Sequence, residues 1–271
     1  MVWDALSEMS VRSGAPVGHL VNRALSEFLG VGHHTLYQVS TAGALVEGVY
    51  QGAISVATVR EHGDFGLGTF DDLDGEMVLL DGTVYQIRSD GSVSGVADEA
   101  LTPFAVATRF EAGTGVNVSV ADLTALTVAL DGLRKSSNVF FAVRVDGQFD
   151  RVSVRVVCRT GPGVRLVEAT ANQVERELGP TSGTLVGFWS PPYASGLEVA
   201  GYHLHFLTDD RRAGGHVLDC SGRDLRVQIQ MEGSVHVALP DNRAFLNADL
   251  ERDPRADLEE AERGGLRPRS A

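Results

Sequence analysis

The sequence predicts an α+β (mixed α/β) fold with two strand-rich halves. Short apolar runs separated by Gly and Asp fill residues 35–157, and strand-like runs return after residue 182. Between them, one short helical pattern lies in a polar connector, and no repeat of solenoid period occurs. We therefore expect a helical N-terminal extension at 1–34, an N-terminal mixed-sheet domain at 35–157, a connector at 158–182 and a C-terminal domain with an acidic tail at 183–271.

The N-terminal extension has helical periodicity. Leu20, Ala24, Phe28 and Leu29 recur at helical spacing, and Gly30 is placed to end the helix. The sequence does not indicate what this extension does.

Turn signals predict the strands of the first strand-rich half. In EMVLLDGTVYQIRSDGSV, two Asp-Gly pairs between apolar runs predict hairpins. ADLTALTVALDGLRKSS is its clearest helix, and FFAVRVDGQFDRVSVRVV predicts two alternating strands about an Asp-Gly turn.

The second half begins after the connector CRTGPGVRLVEATANQVERELGPTS. Pro191 and Pro192 divide the following strand-like stretch into two strands, because proline cannot donate to a sheet ladder. After Pro240 the chain becomes rich in Asp, Glu and Arg.

Composition excludes several classes of protein. A 43% hydrophobic and 22% charged chain is globular, and the net charge of -13 disfavours binding to nucleic acid. No apolar run suggests a membrane span, and MVWDALSEMS lacks the basic start of a secretory leader, so we expect a cytoplasmic protein. Lys135 is the single lysine and lies in a polar stretch, which disfavours Schiff-base chemistry.

A histidine cluster in HLHFLTDDRRAGGH carries the clearest chemical signal. On a strand, His203 and His205 project from the same face about 7 Å apart. If the chain reverses near Asp210 and Arg211, an antiparallel partner sets His216 opposite His205. Three neutral imidazoles arranged in this way form the ligand set of a catalytic zinc site with one open position.

Two other interpretations of this segment stay open. The three histidines could be unrelated core or surface residues. Cys220, four residues after His216, could instead close the site as a fourth ligand and make it structural. Cys158 and Cys220 are too few for a disulfide framework, and both are expected to be small buried apolar residues.

Seven blocks between about residues 35 and 262 resemble the acetolactate decarboxylase family, in the order of that family. They are LYQVSTAGALVEG, HGDFGLGTFDDLDGEM, YQIRSDG, TPFAV, FFAVRVDGQF, GTLVGFWSPPY and GYHLHFLTDDRRAGGHVLD. The resemblance implies a two-domain α/β fold with a zinc ion between the domains. It also implies conversion of the small molecule (S)-2-acetolactate to (R)-acetoin and CO2, on the route to acetoin and butanediol, and a possible homodimer.

The resemblance assigns roles to individual residues. It implies that the zinc ligands are His203, His205 and His216. It matches Glu76 to an active-site glutamate, Thr69 to a substrate-contacting threonine and Arg155 to a catalytic arginine. Without the resemblance, a solvated turn acid, a strand residue and a surface charge would be the better explanations of these three.

The family also has a glutamate on its C-terminal tail that folds back to the metal. Counting without gaps from Leu239-Pro240 gives Glu262, although Glu259 and Glu260 lie close by. A solvated acidic tail is the alternative.

The expected chemistry suits these residues. Loss of CO2 from acetolactate, a β-keto acid, leaves an enediolate whose charge a divalent metal ion can stabilise as a Lewis acid. We expect Arg155 to orient the carboxylate and Glu76 with Glu262 to supply acid-base function, so that one enantiomer forms.

Two competing functions stay open at this point. A cupin-like metal enzyme, a dioxygenase or isomerase, also carries an HxH pattern, but Asp209 would have to replace its usual glutamate. A noncatalytic metal-binding module would keep the three histidines, and substitution of Glu76 in it would change nothing measurable.

Overall fold

The computed structural model describes residues 2–29, 34–111 and 113–262. Its helices are α1 (Val2–Ser13), α2 (Val17–Leu29), α3 (Ala42–Val46), α4 (Val56–His62), α5 (Leu123–Leu133), α6 (Leu166–Thr170), α7 (Arg243–Leu246) and α8 (Arg255–Glu262). Single turns of 3-10 helix span Asp71–Leu73 and Pro192–Ala194. Among the described residues, no helix combines the length and apolar character needed to cross a bilayer.

Strands alternate with helices between residues 35 and 238, which confirms a mixed α+β fold. They are β1 (Thr35–Val39), β2 (Ile54–Ser55), β3 (Phe65–Thr69), β4 (Glu76–Leu80), β5 (Thr83–Ile87), β6 (Val93–Gly95), β7 (Leu101–Thr102), β8 (Ala105–Thr108), β9 (Val116–Val120), β10 (Phe140–Val156), β11 (Val174–Leu178), β12 (Thr181–Ser190), β13 (Gly201–Thr208), β14 (Gly214–Glu232) and β15 (Ser234–Ala238).

Two large sheets organise these strands. The first has the order β15-β1-β8-β3-β4-β5-β6, and the second has the order β11-β10-β12-β13-β14-β9. In the second sheet β10 pairs with β12 along one edge and with β14 along the other, so β10, β12, β13 and β14 close on themselves. Closure removes free edges from these four strands and fixes their register.

The sheets do not follow the predicted boundary at residues 158–182. β9 and β10 precede it yet pair within the second sheet, whereas β15 follows it and pairs in parallel with β1 of the first sheet. The connector itself contains α6 and β11, and β11 extends the second sheet beside β10. The division of the chain into domains stays a prediction.

The N-terminal extension forms two helices rather than one. α1 and α2 flank a short break that contains Pro16. Leu20 is buried, whereas Phe28 is 85% exposed, so the residues at helical spacing do not all lie on one buried face. The predicted stop at Gly30 lies outside the described residues.

The Asp-Gly pairs behave in two ways. Asp81 and Gly82 join β4 to β5 with φ angles of 50° and 78°, as a two-residue hairpin turn requires. The predicted turn in FFAVRVDGQFDRVSVRVV is wrong, because β10 runs through it as one strand. Its register against β14 shifts between Asp146 and Phe149, so this Asp-Gly pair forms a bulge. Pairing on both edges holds β10 together across the bulge.

The largest apolar cluster joins the two sheets. Val78 and Leu80 of β4 belong to the same cluster as Val186 and Phe188 of β12, and all four are at most 2% exposed. Burial of such side chains stabilises the fold by roughly 1.5–3 kcal/mol each. It also sets β4 against the closed strands of the second sheet, where the histidines lie.

Candidate active site and metal centre

The predicted histidine register is present. His205 of β13 lies opposite His216 of β14, and the chain reverses between them through Arg211, whose φ is 59°. The Thr208 hydroxyl accepts hydrogen bonds from the backbone N–H groups of Arg212 and Ala213, which stabilises the reversal.

The glycine pair before His216 is required by crowding on two sides. A Cβ on Gly214 would lie 2.2 Å from the Phe206 carbonyl oxygen of β13. One on Gly215 would lie 2.6 Å from the Arg155 carbonyl oxygen of β10. Both neighbouring strands can approach β14 here only because the side chains are absent.

The three histidines form one buried group. A ligand atom from each of His203, His205 and His216 lies within 4.8 Å of the others. Their ring centroids are 5.0 to 5.4 Å apart, and each residue is at most 8% exposed. The arrangement could hold a metal ion.

Burial keeps these imidazoles neutral. Desolvation, with Arg155 nearby, lowers the pKa of His203 to about 3. Desolvation also lowers the pKa of His205 and of His216 well below 6.5. At neutral pH each ring therefore keeps a nitrogen lone pair, which is the form that binds metals.

His205 has a defined tautomer. Its Nδ1 lies 2.8 Å from the Met77 carbonyl oxygen, which can only accept, so Nδ1 carries the proton. Nε2 is left as a lone-pair nitrogen, buried without a hydrogen-bond partner and 3.5 Å from Glu76 Oε2. A carbonyl partner on the far nitrogen is the usual support for a metal-binding histidine.

The unsatisfied atoms fit a cation. His203 Nδ1, His205 Nε2 and His216 Nδ1 are buried without a hydrogen-bond partner. Buried polar atoms are rarely left so, and a metal ion would satisfy a lone pair on each ring. The donor set of three imidazoles suits zinc and related transition metals.

Glu76 reaches the histidines from the first sheet. It begins β4, pairs with Thr69 of β3 and is 7% exposed. Burial raises the pKa of its carboxyl to about 7, while Arg155 and a 3.4 Å hydrogen bond from the Val157 N–H lower it in part. Glu76 is thus a carboxyl group whose pKa lies close to neutral pH.

Arg155 lies between two carboxylates. It stands opposite His216 in the β10–β14 ladder and is 4% exposed. Its Nη1 is 3.9 Å from Glu76 Oε1, and its Nη2 is 3.7 Å from Glu262 Oε1. The guanidinium therefore offsets their negative charge within the buried site.

Glu262, at the end of α8, is the tail glutamate that reaches the site. Its Oε2 lies 3.2 Å from His216 Nε2 and 3.9 Å from His203 Nε2. Burial raises its pKa, and Arg155 lowers it in part. Glu259 and Glu260 are exposed.

Thr69 is buried beside Glu76, and its hydroxyl donates to the Gly75 carbonyl oxygen at 2.8 Å. Together with the histidines, Glu76, Arg155 and Glu262, it lines a cavity of about 50 Å³. Apolar lining residues include Leu45, Leu73, Phe104, Val157, Leu166 and Leu258. The cavity thus surrounds a polar centre with a water-excluding wall.

Two residues that the sequence offered as alternative metal ligands lie outside the histidine group. Cys220 packs in the apolar core inside the closed strands and contributes nothing to the histidine group. Asp209 is exposed in the turn after β13, so it does not take the place of a cupin glutamate.

Sequence reasoning missed Glu198. It lies in the loop before β13, is 1% exposed, and accepts a hydrogen bond from the Val199 N–H. Burial, aided by the charge of Glu262, raises its pKa to about 8. No periodicity marks a loop residue as buried, so the sequence offered no signal for it.

The comparison with known families identifies the chain. The profile of the alpha-acetolactate decarboxylase family matches residues 36–252. The chain belongs to this family. Its members are carboxy-lyases, and the chain is accordingly an enzyme, an acetolactate decarboxylase that acts on a small-molecule substrate.

Individual relatives agree with this assignment. The alpha-acetolactate decarboxylase of Methanosarcina mazei is 45% identical over 84% of this chain and 80% of its own length. That of Methylococcus capsulatus is 45% identical over 86% of this chain and 91% of its own length. The crystal structure of the Bacillus subtilis enzyme superposes with a TM-score of 0.81 at 36% identity, over 85% of this chain and 99% of that one.

Proposed function

We propose that this decarboxylase converts (S)-2-acetolactate to (R)-acetoin and CO2 with a zinc ion held by His203, His205 and His216, in acetoin and butanediol biosynthesis. The observation that carries the proposal is the convergence of three neutral, buried imidazoles on one cavity with two carboxyl groups and an arginine. We further propose that the zinc lies between two strand-rich domains.

The metal ion has a limited task in this proposal. When bound, zinc supplies Lewis-acid stabilisation of the negative charge that loss of CO2 leaves on the substrate oxygens. The neutral state of the histidines and their unsatisfied nitrogen atoms support a cation at this point.

Arg155 binds and orients the substrate carboxylate. Its guanidinium is almost fully buried and offers several N–H donors to a planar anion. Because Glu76 and Glu262 lie 3.7 to 3.9 Å away, small shifts are enough for it to exchange a carboxylate of the protein for that of the substrate.

Glu76 and Glu262 provide general acid-base function. The enediolate left by loss of CO2 must take one proton on a defined face to give a single enantiomer. A carboxyl group whose pKa burial raises to about 7, as in Glu76, can hold a proton and release it near neutral pH. Glu262 holds or returns a proton from the opposite side of Arg155, and Thr69 contacts the substrate through its hydroxyl lone pairs.

The proposal is tested by metal content and product formation. Wild-type protein and His205→Ala are assayed for bound metal by mass spectrometry and for acetoin from racemic acetolactate, before and after chelation. His236→Ala, an exposed histidine on β15, is the matched control. We expect about one zinc per chain in the wild type and in His236→Ala. Activity should be lost in His205→Ala and in the chelated wild type. Full activity in chelated, metal-free enzyme would contradict the role of zinc.

A homodimer and a cytoplasmic location are also proposed, supported by the family resemblance and by composition. Light scattering on the purified protein and cell fractionation test them separately. A monomeric mass, or recovery outside the cytoplasm, would contradict each in turn.

A further inference from the structure

We infer that Arg165 is a positioning residue for Glu262. It lies just before α6, outside the residues that surround the histidines, and acts through α8. The inference rests on the proposed function only where it gives Glu262 a role in turnover.

Arg165 joins three helices. Its Nη2 donates to Glu47 Oε1, at the end of α3, at 3.0 Å, and to Asp257 Oδ2, in the first turn of α8, at 2.5 Å. A single guanidinium nitrogen thus ties the start of α8 to the elements that wall the cavity.

A second arginine completes the arrangement. Arg252 Nη2 lies 3.1 Å from Asp257 Oδ2, and its Nη1 lies 3.8 Å from Glu47 Oε1. We call Glu47, Arg165, Arg252 and Asp257 the α8 clamp. Asp257 is 16% exposed and Glu47 is 22% exposed as side chains, so these charges are less screened than a fully exposed pair.

The clamp and Glu262 occupy opposite ends of one short helix. α8 has eight residues, and helices of this length are not stable without tertiary contacts. Leu258 and Ala261 bury the apolar side of α8 and so set its depth. The clamp fixes the N-terminal end of α8. Glu262 follows Asp257 by about five residues on the same helix, so the position of that end determines where the Glu262 carboxylate lies.

Open space on the far side of α8 would allow this helix to move, and the α8 clamp opposes that movement. Leu258, Glu262 and His216 line the small cavity, and the same three residues line a groove of about 1090 Å³. α8 therefore separates the two spaces. Without the clamp, α8 can shift towards the groove and carry Glu262 away from His216.

The test compares Arg165→Met with Arg60→Met. Arg60 lies on α4 and pairs with Asp98 at 2.5 Å on the surface. Hydrogen exchange of residues 255–262 is measured against that of β13 and β14, with kcat and KM for acetolactate. For Arg165→Met we expect exchange about tenfold faster in α8 alone. We also expect kcat to fall about tenfold, with little change in KM. Arg60→Met should change neither.

Arg165→Lys separates positioning from bulk stability. Because one nitrogen makes both contacts, an ammonium group can replace it, and we expect most of the α8 protection and of kcat to return. If Arg165→Met does not fold, Asp257→Asn is measured in the same way. Unchanged α8 exchange, or an equal increase across β13 and β14, would overturn the inference. Exchange needs no turnover, so it tests the clamp even if the wild type forms no acetoin.

Discussion

His205 uses its two ring nitrogens for different tasks. The Met77 carbonyl accepts from Nδ1 and fixes the tautomer, which leaves Nε2 facing Glu76 across 3.5 Å. If Glu76 were ionised, two acceptors would face each other there. A proton on Glu76 or a cation between them resolves the conflict, which is why burial of this pair suits a metal centre.

Glu76→Gln tests the proton-handling role at this residue. The carboxyl already has a pKa of about 7, so a neutral amide costs little stability. We expect kcat to fall about 100-fold with bound metal retained, because Gln cannot donate or accept the proton. Acetoin formation and metal content check this, with exposed Glu177→Gln as control. Wild-type kcat in Glu76→Gln would contradict the proton-handling role of Glu76.

Glu232 gives a pH dependence away from the active site. Thr108 and Gln230 donate to its carboxyl at 3.0 Å and 2.9 Å, yet burial raises its pKa to about 7 from 4.5. The folded chain thus holds a proton that the unfolded chain has lost. This contribution to stability is fully present below pH 4.5 and is lost as the pH rises through about 7.

Glu232→Gln should remove this dependence. Relative to the wild type, the variant should gain about 3 kcal/mol of unfolding free energy between pH 4.5 and pH 8. Denaturant unfolding at a series of pH values measures the difference. If the unfolding free energies of the two proteins changed in parallel with pH, Glu232 would not titrate as its burial implies.

At the scale of elements, close approach of three strands builds the site. β13 and β10 both crowd β14 at Gly214 and Gly215, and this brings His205, His216 and Arg155 together. The ladder thereby places two of the histidines beside the arginine that we propose orients the substrate.

Gly214→Ala tests this crowding. The added Cβ would meet the Phe206 carbonyl oxygen at 2.2 Å, so β13 and β14 must separate beside the histidines. We expect a loss of roughly 2–3 kcal/mol of unfolding free energy and weaker metal binding. Gly95→Ala on β6, with nothing within 4 Å, is the control. Equal stability and metal content in the two variants would argue against crowding as the reason for Gly214.

At the scale of the whole molecule, the site draws on both sheets. Glu76 comes from the first sheet, the histidines and Arg155 from the second, and Glu262 from the C-terminal helix. A ligand held between them should bind the folded chain alone and stabilise it.

We therefore expect metal removal to lower the thermal midpoint of unfolding. At free zinc 100 times the dissociation constant, binding contributes about 2.7 kcal/mol, a shift of several degrees. Calorimetry with and without chelator measures this shift, which should vanish in His205→Ala and persist in His236→Ala. An unchanged midpoint in chelated wild type would contradict a zinc site formed by the fold.

Spacing along the chain was enough to predict how the histidines are arranged. The period of two along β13 put His203 and His205 on one face, and a short reversal put His216 opposite His205. The family blocks added Glu76, Arg155 and the approximate position of the tail glutamate.

Other features depend on contacts between residues that are far apart in the sequence. Pairing on both edges made β10 one bulged strand, and β15 returned to the first sheet beside β1. The choice of Glu262 over Glu259 and Glu260 follows from how α8 packs. The burial of Glu198 and the raised pKa of Glu76 likewise arise from desolvation by residues far along the chain, which no local pattern encodes.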